Sequence, residues 1–404
     1  VMGETYKPDT PEQVLDAVKW ALAEEQTLDV FGHASKRNFG CPASTHNNLD
    51  LSALSGITLY EPAELVMSAA AATPMSEIQS TIDEHNQRLA FEPPNFGPLL
   101  DSGPEAGTIG GVLACNLAGP RRISAGSARD HILGFHAVSG RGEVFKSGGR
   151  VVKNVTGFDL SKLLAGSFGT LAVMTDVTFK VLPVPEKSRT VLVMTEDHAK
   201  GVAAMRDALH SSYEVSAAAY LPADIAALSD VSYVSSGKGG HCALRVEGPG
   251  PSVEYRTGAL RQLLAGFGET EELHTTNTNA LWREIRDVAY FVSGGEQLWR
   301  LSVPPSEGAR VMQKIAESIG GRAFLDWGGG LIWFAIKPRD NAAHQEIRAI
   351  LGDVGGHGTL IRTSDDVRAR VPVFQPQQQA LADLSARIKD SFDPMGILCP
   401  GRMG

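Results

Sequence analysis

The sequence has 404 residues, 43% of them apolar and 21% charged, which is typical of a globular protein and excludes a disordered or fibrous chain. Its length favours two domains, or one domain with a large insertion. With 37 basic and 46 acidic residues the formal net charge is −9, which disfavours binding to a nucleic acid. The four cysteines lie far apart, which excludes a CxxC metal site and favours reduced thiols.

The apolar runs of the sequence are too short to cross a membrane. Residues 330–336 have the length of a strand, whereas a membrane-spanning helix needs about 20 apolar residues. The first residues lack the basic end and the continuous apolar stretch of a secretion signal. We therefore expect a cytoplasmic protein that associates at most peripherally with the inner face of the cell membrane.

The first elements along the chain are a capped helix and a short strand. Thr10 and Pro11 are typical of an N-cap and a first turn, and apolar residues follow at helical spacing. Residues 28–31 form a predicted strand that runs into the loop GHASKRNFG at 32–40. Short elements then alternate as far as residues 183–185, where two prolines predict a domain boundary.

The second half of the sequence alternates strands with helices. We predict strands at 191–194, 241–246, 298–303 and 332–336, and helices at 198–209, 307–319 and 342–351. This alternation is typical of an α+β domain whose strands pair in one sheet. The polar residues 266–279 are predicted to form a surface connection. We interpret most of the following tryptophans as core residues rather than partner surfaces: Trp282, Trp299, Trp327 and Trp333.

Three glycine-rich segments stand out in the first half, at 32–40, 102–122 and 149–183. Glycine allows backbone N–H groups to approach an anion, and successive N–H groups in a turn form a concave phosphate site. The first strand is not followed by GxGxxG and the chain has no GxxxxGK(S/T), which disfavours a Rossmann or P-loop site. Gly32 and Ser35 suit a pyrophosphate, with Lys36 and Arg37 as countercharges. A tight turn with two solvated cations is the alternative.

Six motifs carry a resemblance to a known family. They are FEPPNFG at 91–97, GTIGGVLACNLAGPRR at 107–122, GSARDHILG at 126–134, KNVTGFDLSKLLAGSFGTLAVMTDVTFKVLP at 153–183, DWGG at 326–329 and CPGRM at 399–403. Together they resemble the FAD-binding domain of the vanillyl-alcohol oxidase and p-cresol methylhydroxylase (PCMH) superfamily. Within it, the sequence resembles the FAD-binding E subunits of bacterial glycolate oxidase.

This resemblance implies an α+β fold. A two-subdomain PCMH-type FAD-binding domain is expected at 1–185, followed at 186–390 by an α+β cap domain with an antiparallel sheet. Residues 391–404 are expected to return to the FAD domain. The implied cofactor is FAD.

The resemblance also implies a set of cofactor-binding residues. Residues 32–35 would contact the pyrophosphate, Pro94 the flavin, residues 166–169 with Leu171 the adenine side, and residues 400–402 would close the site. The implied set is Gly32, His33, Ala34, Ser35, Lys36, Gly40, Pro94, Thr108, Gly110, Gly111, Ala114, Asn116, Gly166, Gly169, Leu171 and Arg402.

Local alternatives remain for several polar residues of the motifs. Asn116 either contacts the cofactor or bonds a neighbouring turn. Arg129 and Asp130 are interpreted as a structural ion pair, and Asp159 as the N-cap of a helix at 160–164.

The sequence departs from the family at two places. In several members a histidine near the end of the first loop bonds covalently to the flavin; here Ser35 occupies that place and His33 lies two residues earlier, so we predict non-covalent FAD. The catalytic subunits also share an HxGDGN motif that gathers histidines for a metal. The nearest segment here, 352–362, keeps only His357, which we interpret as a turn residue, so no metal site and no catalytic base are assigned.

These features favour an electron-relaying subunit. Its expected partners are a homologous FAD-containing, hydroxyacid-oxidising subunit and an iron–sulfur subunit of a glycolate oxidase-like complex. One alternative is a stand-alone FAD-dependent 2-hydroxyacid dehydrogenase whose cap supplies residues such as Arg245, Trp327 or Trp333. Another is a non-redox structural subunit.

Overall fold

The computed structural model describes residues 3–404 except 44, 46, 105, 106, 151–156 and 238. Parts of two glycine-rich segments, residues 105, 106 and 151–156, thus lie outside the described residues. The chain divides into two compact units. The first consists of Val1–Ala118, Gly126–Val184 and Pro376–Gly404, and the second of Gly119–Ala125 and Pro185–Gln375.

The first unit mixes helices with three sheets among its described residues. Its helices are Pro11–Ala23, Met75–Asp83, Ile109–Ala114, Ala128–His131, Leu160–Leu164 and Gln379–Phe392. A parallel sheet has the strand order Thr5–Tyr6, Asn47–Asp50, Leu28–Phe31. An antiparallel sheet has the order Ile57–Glu61, Val66–Ala70, Ala172–Lys180, Ile132–Ser139, Val144–Gly148. Gln87–Arg88 pairs with Leu182–Pro183.

The first helix forms as its sequence predicts. Thr10 Oγ1 accepts a hydrogen bond from the Gln13 amide at 3.3 Å, and Pro11 occupies the first turn, where its missing N–H has no cost. Val14 and Val18 are fully buried on its inner face. They pack in one cluster with Leu28 and with Leu398, so the C-terminal segment belongs to the core of this unit.

The second unit is built on one large antiparallel sheet. Its strands, in sheet order, are Glu269–Leu273, Lys187–Met194, His241–Gly248, Val215–Leu221, Arg322–Asp326, Leu331–Ile336, Gln297–Ser302 and His357–Arg362. Its helices are Arg122–Ala125, His198–Leu209, Ala223–Ala226, Ser232–Ser235, Gly250–Leu264, Thr275–Asp287, Gly308–Ile319, His344–Gly352 and Asp365–Arg368. The mixture of helices and antiparallel sheets confirms the expected α+β fold class.

Apolar strands and tryptophans form the core of the second unit. All six residues of Leu331–Ile336 are buried, as expected for a strand without alternating polar positions. Trp299 is fully buried and its Nε1 donates to the Ala342 carbonyl at 3.0 Å. The core assignment of the four tryptophans is confirmed, since each is at most 7% exposed.

Two local predictions are wrong. Residues 266–279 are not a surface connection, because they contain the strand Glu269–Leu273 and the start of the helix Thr275–Asp287. That strand lies at the edge of the sheet and only Leu273 is buried in it, so its sequence reads as polar. His357 is not a turn residue; it begins the strand His357–Arg362 and pairs with Ser302.

Two polar motif residues also differ from expectation. Asp130 Oδ2 accepts from the Ser127 amide at 2.8 Å and from its hydroxyl at 3.0 Å, so it closes a capping box, and it forms no ion pair with Arg129 among the described residues. Asp159 precedes the helix Leu160–Leu164 as predicted but makes no side-chain cap bond there.

No helix in the described part of the chain combines the length and the apolar character that a membrane crossing needs.

Candidate cofactor site

A cleft in the first unit brings the glycine-rich segments together. Its empty volume is about 780 Å³ including the open mouth, a size within the usual range of ligand pockets. It is lined by Val30, Phe31, Gly32, His33, Ala34, Ser35, Lys36, Arg37, Leu51, Ala71, Ala72, Thr108, Gly110, Gly111, Ala114, Cys115, Phe168, Gly169, Ala172, Val173, Met174 and Arg402.

The loop that follows the strand Leu28–Phe31 forms one wall. A Cβ atom at Gly32 would lie 2.8 Å from Thr108 Oγ1, so only glycine allows this loop to approach the opposite wall so closely. Ser35 and Lys36 are buried at the base of the loop. Glycine at this position therefore sets the width of the cleft.

Residues 107–114 form the opposite wall and are fixed by backbone hydrogen bonds. The Gly110 amide donates to the Ala71 carbonyl at 2.8 Å, and the Ile109 amide to the Thr73 carbonyl at 3.1 Å. Gly107 has a φ of +82°, and a Cβ there would overlap Ser35 Oγ and lie 2.5 Å from Lys36 Nζ. Small residues thus hold this wall against the first loop.

The electrostatics of the cleft favour an anion. Lys36 Nζ donates to Ser35 Oγ at 3.0 Å, and burial lowers the pKa of the Lys36 ammonium. Arg402 is also buried and donates to the Lys36 carbonyl at 3.2 Å. Arg37 pairs with Asp29 at 2.6 Å. The described lining residues include these three cations and no carboxylate.

A thiol lies beside these cations. Burial raises the pKa of Cys115 to about 11, and Lys36 and Arg402 only partly oppose that rise. The thiol is therefore neutral at physiological pH and adds no negative charge to the cleft.

The C-terminal segment is ordered beside the cleft. The Leu28 amide donates to the Ile397 carbonyl at 2.8 Å, and the Cys399 amide donates to the Leu28 carbonyl at 2.9 Å. The buried Asp393 carboxylate accepts from the Ile397 and Leu398 amides at 3.0 and 2.9 Å. Leu398 forms an isolated parallel bridge with Leu28, which joins this segment to the parallel sheet. Arg402, four residues later, lines the cleft.

The structure brings together many of the sequence-derived candidates. Those that line the cleft are Gly32, His33, Ala34, Ser35, Lys36, Thr108, Gly110, Gly111, Ala114, Gly169 and Arg402. Those outside the lining are Gly40, Pro94, Asn116, Gly166 and Leu171.

Two of the outlying candidates have local roles. Asn116 Oδ1 accepts a hydrogen bond from the Arg129 amide at 2.9 Å. This is the alternative in which Asn116 bonds a neighbouring turn. The Gly166 amide donates to the Leu113 carbonyl at 3.1 Å.

Sequence reasoning missed the walls supplied by Ala71 and Ala72 and by the strand Ala172–Lys180. The run of small residues around position 70 was the available signal.

Comparison with known proteins gives the family. Residues 5–148 match the model of the FAD binding domain family FAD_binding_4. Over 398 residues the chain is 33% identical to glycolate oxidase subunit GlcE of Escherichia coli, which covers 98% of this chain and 97% of that protein. The chain belongs to the GlcE family of glycolate oxidase subunits. It is thus an FAD-dependent oxidoreductase subunit, and the resemblance and the FAD cofactor expected from the sequence are confirmed.

Other comparisons of this GlcE-family chain concern a segment of its sequence and its fold. A segment of 102 residues is 36% identical to glycolate oxidase subunit GlcD of Bacillus subtilis, covering 25% of this chain and 22% of that protein. The p-cresol methylhydroxylase structure has a TM-score of 0.71 at 17% identity, covering 99% of this chain and 88% of that one. Alkyldihydroxyacetonephosphate synthase gives 0.69 at 15% identity, covering 98% and 76%. These likenesses confirm the PCMH-type fold.

Proposed function

We propose that this chain is the FAD-binding subunit of a glycolate oxidase-like complex, in which it relays electrons from a hydroxyacid-oxidising flavin subunit to an iron–sulfur subunit. The observation that carries the proposal is the cation-lined cleft of the first unit, in a chain similar to GlcE over nearly its whole length. The likeness to a segment of GlcD supports a related flavin subunit as a partner. We place the complex in the cytoplasm, at most peripherally bound to the inner face of the cell membrane.

The residues of the cleft fit FAD. Lys36 and Arg402 are buried cations, and the described lining of the cleft includes no Asp or Glu, which suits a pyrophosphate. The loop at 32–35 lies next to them and supplies backbone amides for the same anion. We assign the wall at 108–114 to the remainder of the diphosphate and the ring, because its small residues allow a flat group to lie against the backbone.

The remaining sequence-derived assignments stay part of the proposal. Pro94 is assigned to the flavin, and residues 166–169 with Leu171 to the adenine side. Gly40 and Asn116 are likewise assigned to the cofactor. The FAD-binding domain is taken as 1–185, the cap as 186–390 and the returning segment as 391–404.

When bound, FAD supplies the capacity to accept and release electrons, and the chain supplies its binding and its surroundings. Lys36 and Arg402 would neutralise the diphosphate, and the apolar lining would exclude water. We propose a non-covalent cofactor because Ser35, not histidine, occupies the place of attachment. The Ser35 hydroxyl instead accepts a hydrogen bond from Lys36.

An absorption spectrum of the purified chain tests the proposal. We expect a yellow protein whose colour is released by acid precipitation, and which glycolate or D-lactate does not bleach under anaerobic conditions until the partner flavin subunit is added. Bleaching by the chain alone would instead establish the stand-alone dehydrogenase. A colourless chain that still assembles with its partners would establish a structural subunit.

A glycine substitution tests the position of the cofactor. A Cβ at Gly111 would lie 3.3 Å from Thr108 Oγ1 and 3.7 Å from Lys36 Nζ, so the fold tolerates a side chain that projects into the cleft. Gly111→Leu is expected to abolish the flavin colour. Gly149→Leu is the matched control, because a Cβ there would have no described atom within 4 Å and the residue belongs to the same unit. Full colour in Gly111→Leu would contradict the assignment.

A further inference from the structure

The C-terminal segment that carries Arg402 is tied down by an ion pair. Lys389, in the last turn of the helix Gln379–Phe392, pairs with the Asp393 carboxylate four residues later. Every residue of this helix is at least partly exposed, so apolar burial alone does not fix its end. Asp393, by contrast, is only 1% exposed. The pair therefore anchors the end of a surface helix in the interior of the first unit.

The Lys389 ammonium joins three parts of the first unit. Besides its bond to Asp393, its Nζ donates to the Thr170 carbonyl at 2.6 Å and to the Leu398 carbonyl at 3.1 Å. Thr170 directly follows Gly169, which lines the cleft, and Leu398 belongs to the C-terminal segment. One cation thus connects the surface helix, a wall of the cleft and the C-terminal segment.

The Asp393 carboxylate fixes the start of that segment. Its two oxygens accept from the amides of Ile397 and Leu398 at 3.0 and 2.9 Å. A Cβ at Gly140 would overlap Asp393 Oδ1, so glycine at that position leaves room for the carboxylate. A buried carboxylate is costly without a countercharge, and Lys389 supplies one.

The backbone that leads to Arg402 is strained. Cys399 has a φ of +43°, in the left-handed region that residues with a side chain disfavour. Its thiol is nevertheless buried and accepts from the Val30 amide at 3.3 Å. A strained conformation persists only where the surrounding bonds impose it. The bonds of Asp393 to the two amides that precede Cys399 are among those that do so.

This strained turn places Arg402 in the cleft. The Arg402 guanidinium is buried, lines the cleft and donates to the Lys36 carbonyl at 3.2 Å. The Arg402 carbonyl accepts from the Cys41 amide at 3.0 Å. Arg402 lies in a turn rather than in a helix or a strand, so its position depends on the bonds that hold the C-terminal segment.

We propose that Lys389 and Asp393 are positioning residues for the cofactor: their ion pair holds the C-terminal segment in the conformation that places Arg402 against the diphosphate. Neither side chain is among the described residues that line the cleft, so both act through Arg402. The proposal rests on the proposed function, in which Arg402 neutralises that diphosphate. It makes the affinity for FAD depend on a salt bridge at the end of a surface helix.

Titration of the FAD-free full chain with FAD, followed by quenching of flavin fluorescence, tests this dependence. Arg402→Met removes the charge itself and is expected to raise the Kd by about 10- to 150-fold, the range for a lost charge-assisted hydrogen bond. Lys389→Met is expected to raise the Kd by a smaller factor of about tenfold. In the Arg402→Met background it should have no further effect, because the residue through which it acts is gone. Arg387→Met, at an exposed position of the same helix, is the matched control and should leave the Kd unchanged.

Hydrogen exchange of the FAD-free chain gives a second readout that does not involve the cofactor. In Lys389→Met the amides of Ile397, Leu398 and Cys399 are expected to exchange about tenfold faster than in the wild type, because their acceptors are no longer held in place. The amides of the helix Pro11–Ala23 serve as the internal reference and should exchange at the wild-type rate.

A second variant keeps the test decisive. Lys389→Met combined with Asp393→Asn removes both charges, so it leaves no buried charge unpaired and is expected to fold even if Lys389→Met does not. It should show the same rise in Kd and the same faster exchange. An unchanged Kd or unchanged exchange in both variants would overturn this proposal alone, as would an equal effect of Lys389→Met in the wild-type and Arg402→Met backgrounds. A wild-type chain that binds no FAD would overturn the proposed function and this proposal with it.

Discussion

Removal of the buried ammonium in the cleft tests how the cofactor anion is held. Lys36→Met keeps the length and apolar stem of the side chain but deletes its charge. The ammonium lies against Ser35 Oγ at 3.0 Å and is buried, so a pyrophosphate that contacts it would form a charge-assisted hydrogen bond shielded from water. Losing such a bond costs about 1.5–3 kcal/mol, which raises the Kd for FAD by about 10- to 150-fold.

The same substitution has the opposite effect on the FAD-free protein. Burial lowers the pKa of Lys36 below its ordinary value of 10.5, which means that folding disfavours the charged form. The unfolded chain then binds the proton more tightly, so wild-type stability rises with pH between the lowered pKa and 10.5. We expect FAD-free Lys36→Met to be at least as stable as wild type at neutral pH, and this advantage to shrink as the pH approaches 10.5.

Two measurements decide this prediction. Quenching of flavin fluorescence gives the Kd for FAD, and thermal unfolding of the FAD-free protein gives the stability from neutral to alkaline pH. Lys19→Met, on the exposed side of the first helix, is the control and should change neither quantity. An unchanged Kd for FAD in Lys36→Met would refute the assignment of the ammonium to the pyrophosphate.

Two further predictions concern the scaffold. Gly107→Ala forces a side chain into a backbone with φ of +82° and against Ser35 Oγ, so we expect a loss of stability of about 1–3 kcal/mol, measured by denaturant unfolding; an unchanged midpoint would refute the need for glycine. Arg121→Ala removes the bidentate partner of Glu247 at 2.6 and 3.0 Å and leaves the carboxylate with Arg245 at 3.7 Å, so we expect a loss of about 1.5–3 kcal/mol, whereas a loss below about 1 kcal/mol would show that the pair is solvated.

Local sequence signals predicted much of this fold. The Thr10 cap, the apolar strand at 332–336 and the helix at 198–209 all follow from residue types within a few positions of each other. The edge strand Glu269–Leu273 was missed because the residues before Leu273 are polar and not buried, and because its identity depends on a neighbour that is remote in sequence, the strand Lys187–Met194.

The residues of the candidate cofactor site also divide into those that local motifs predict and those that depend on packing. The glycine-rich loops indicate an anion site in the sequence. In the structure, Gly32, Ser35 and Thr108 line one cleft. The contribution of Ala71 to that cleft depends on how the sheet packs behind it, which no local motif records.

The most direct test of the central claim is a crystal structure of the chain grown with FAD. We expect the diphosphate to occupy the cleft of the first unit, within hydrogen-bonding distance of Lys36 Nζ and beside Arg402. Density for FAD at any other place, or a cleft closed by its own side chains in the presence of saturating FAD, would contradict it.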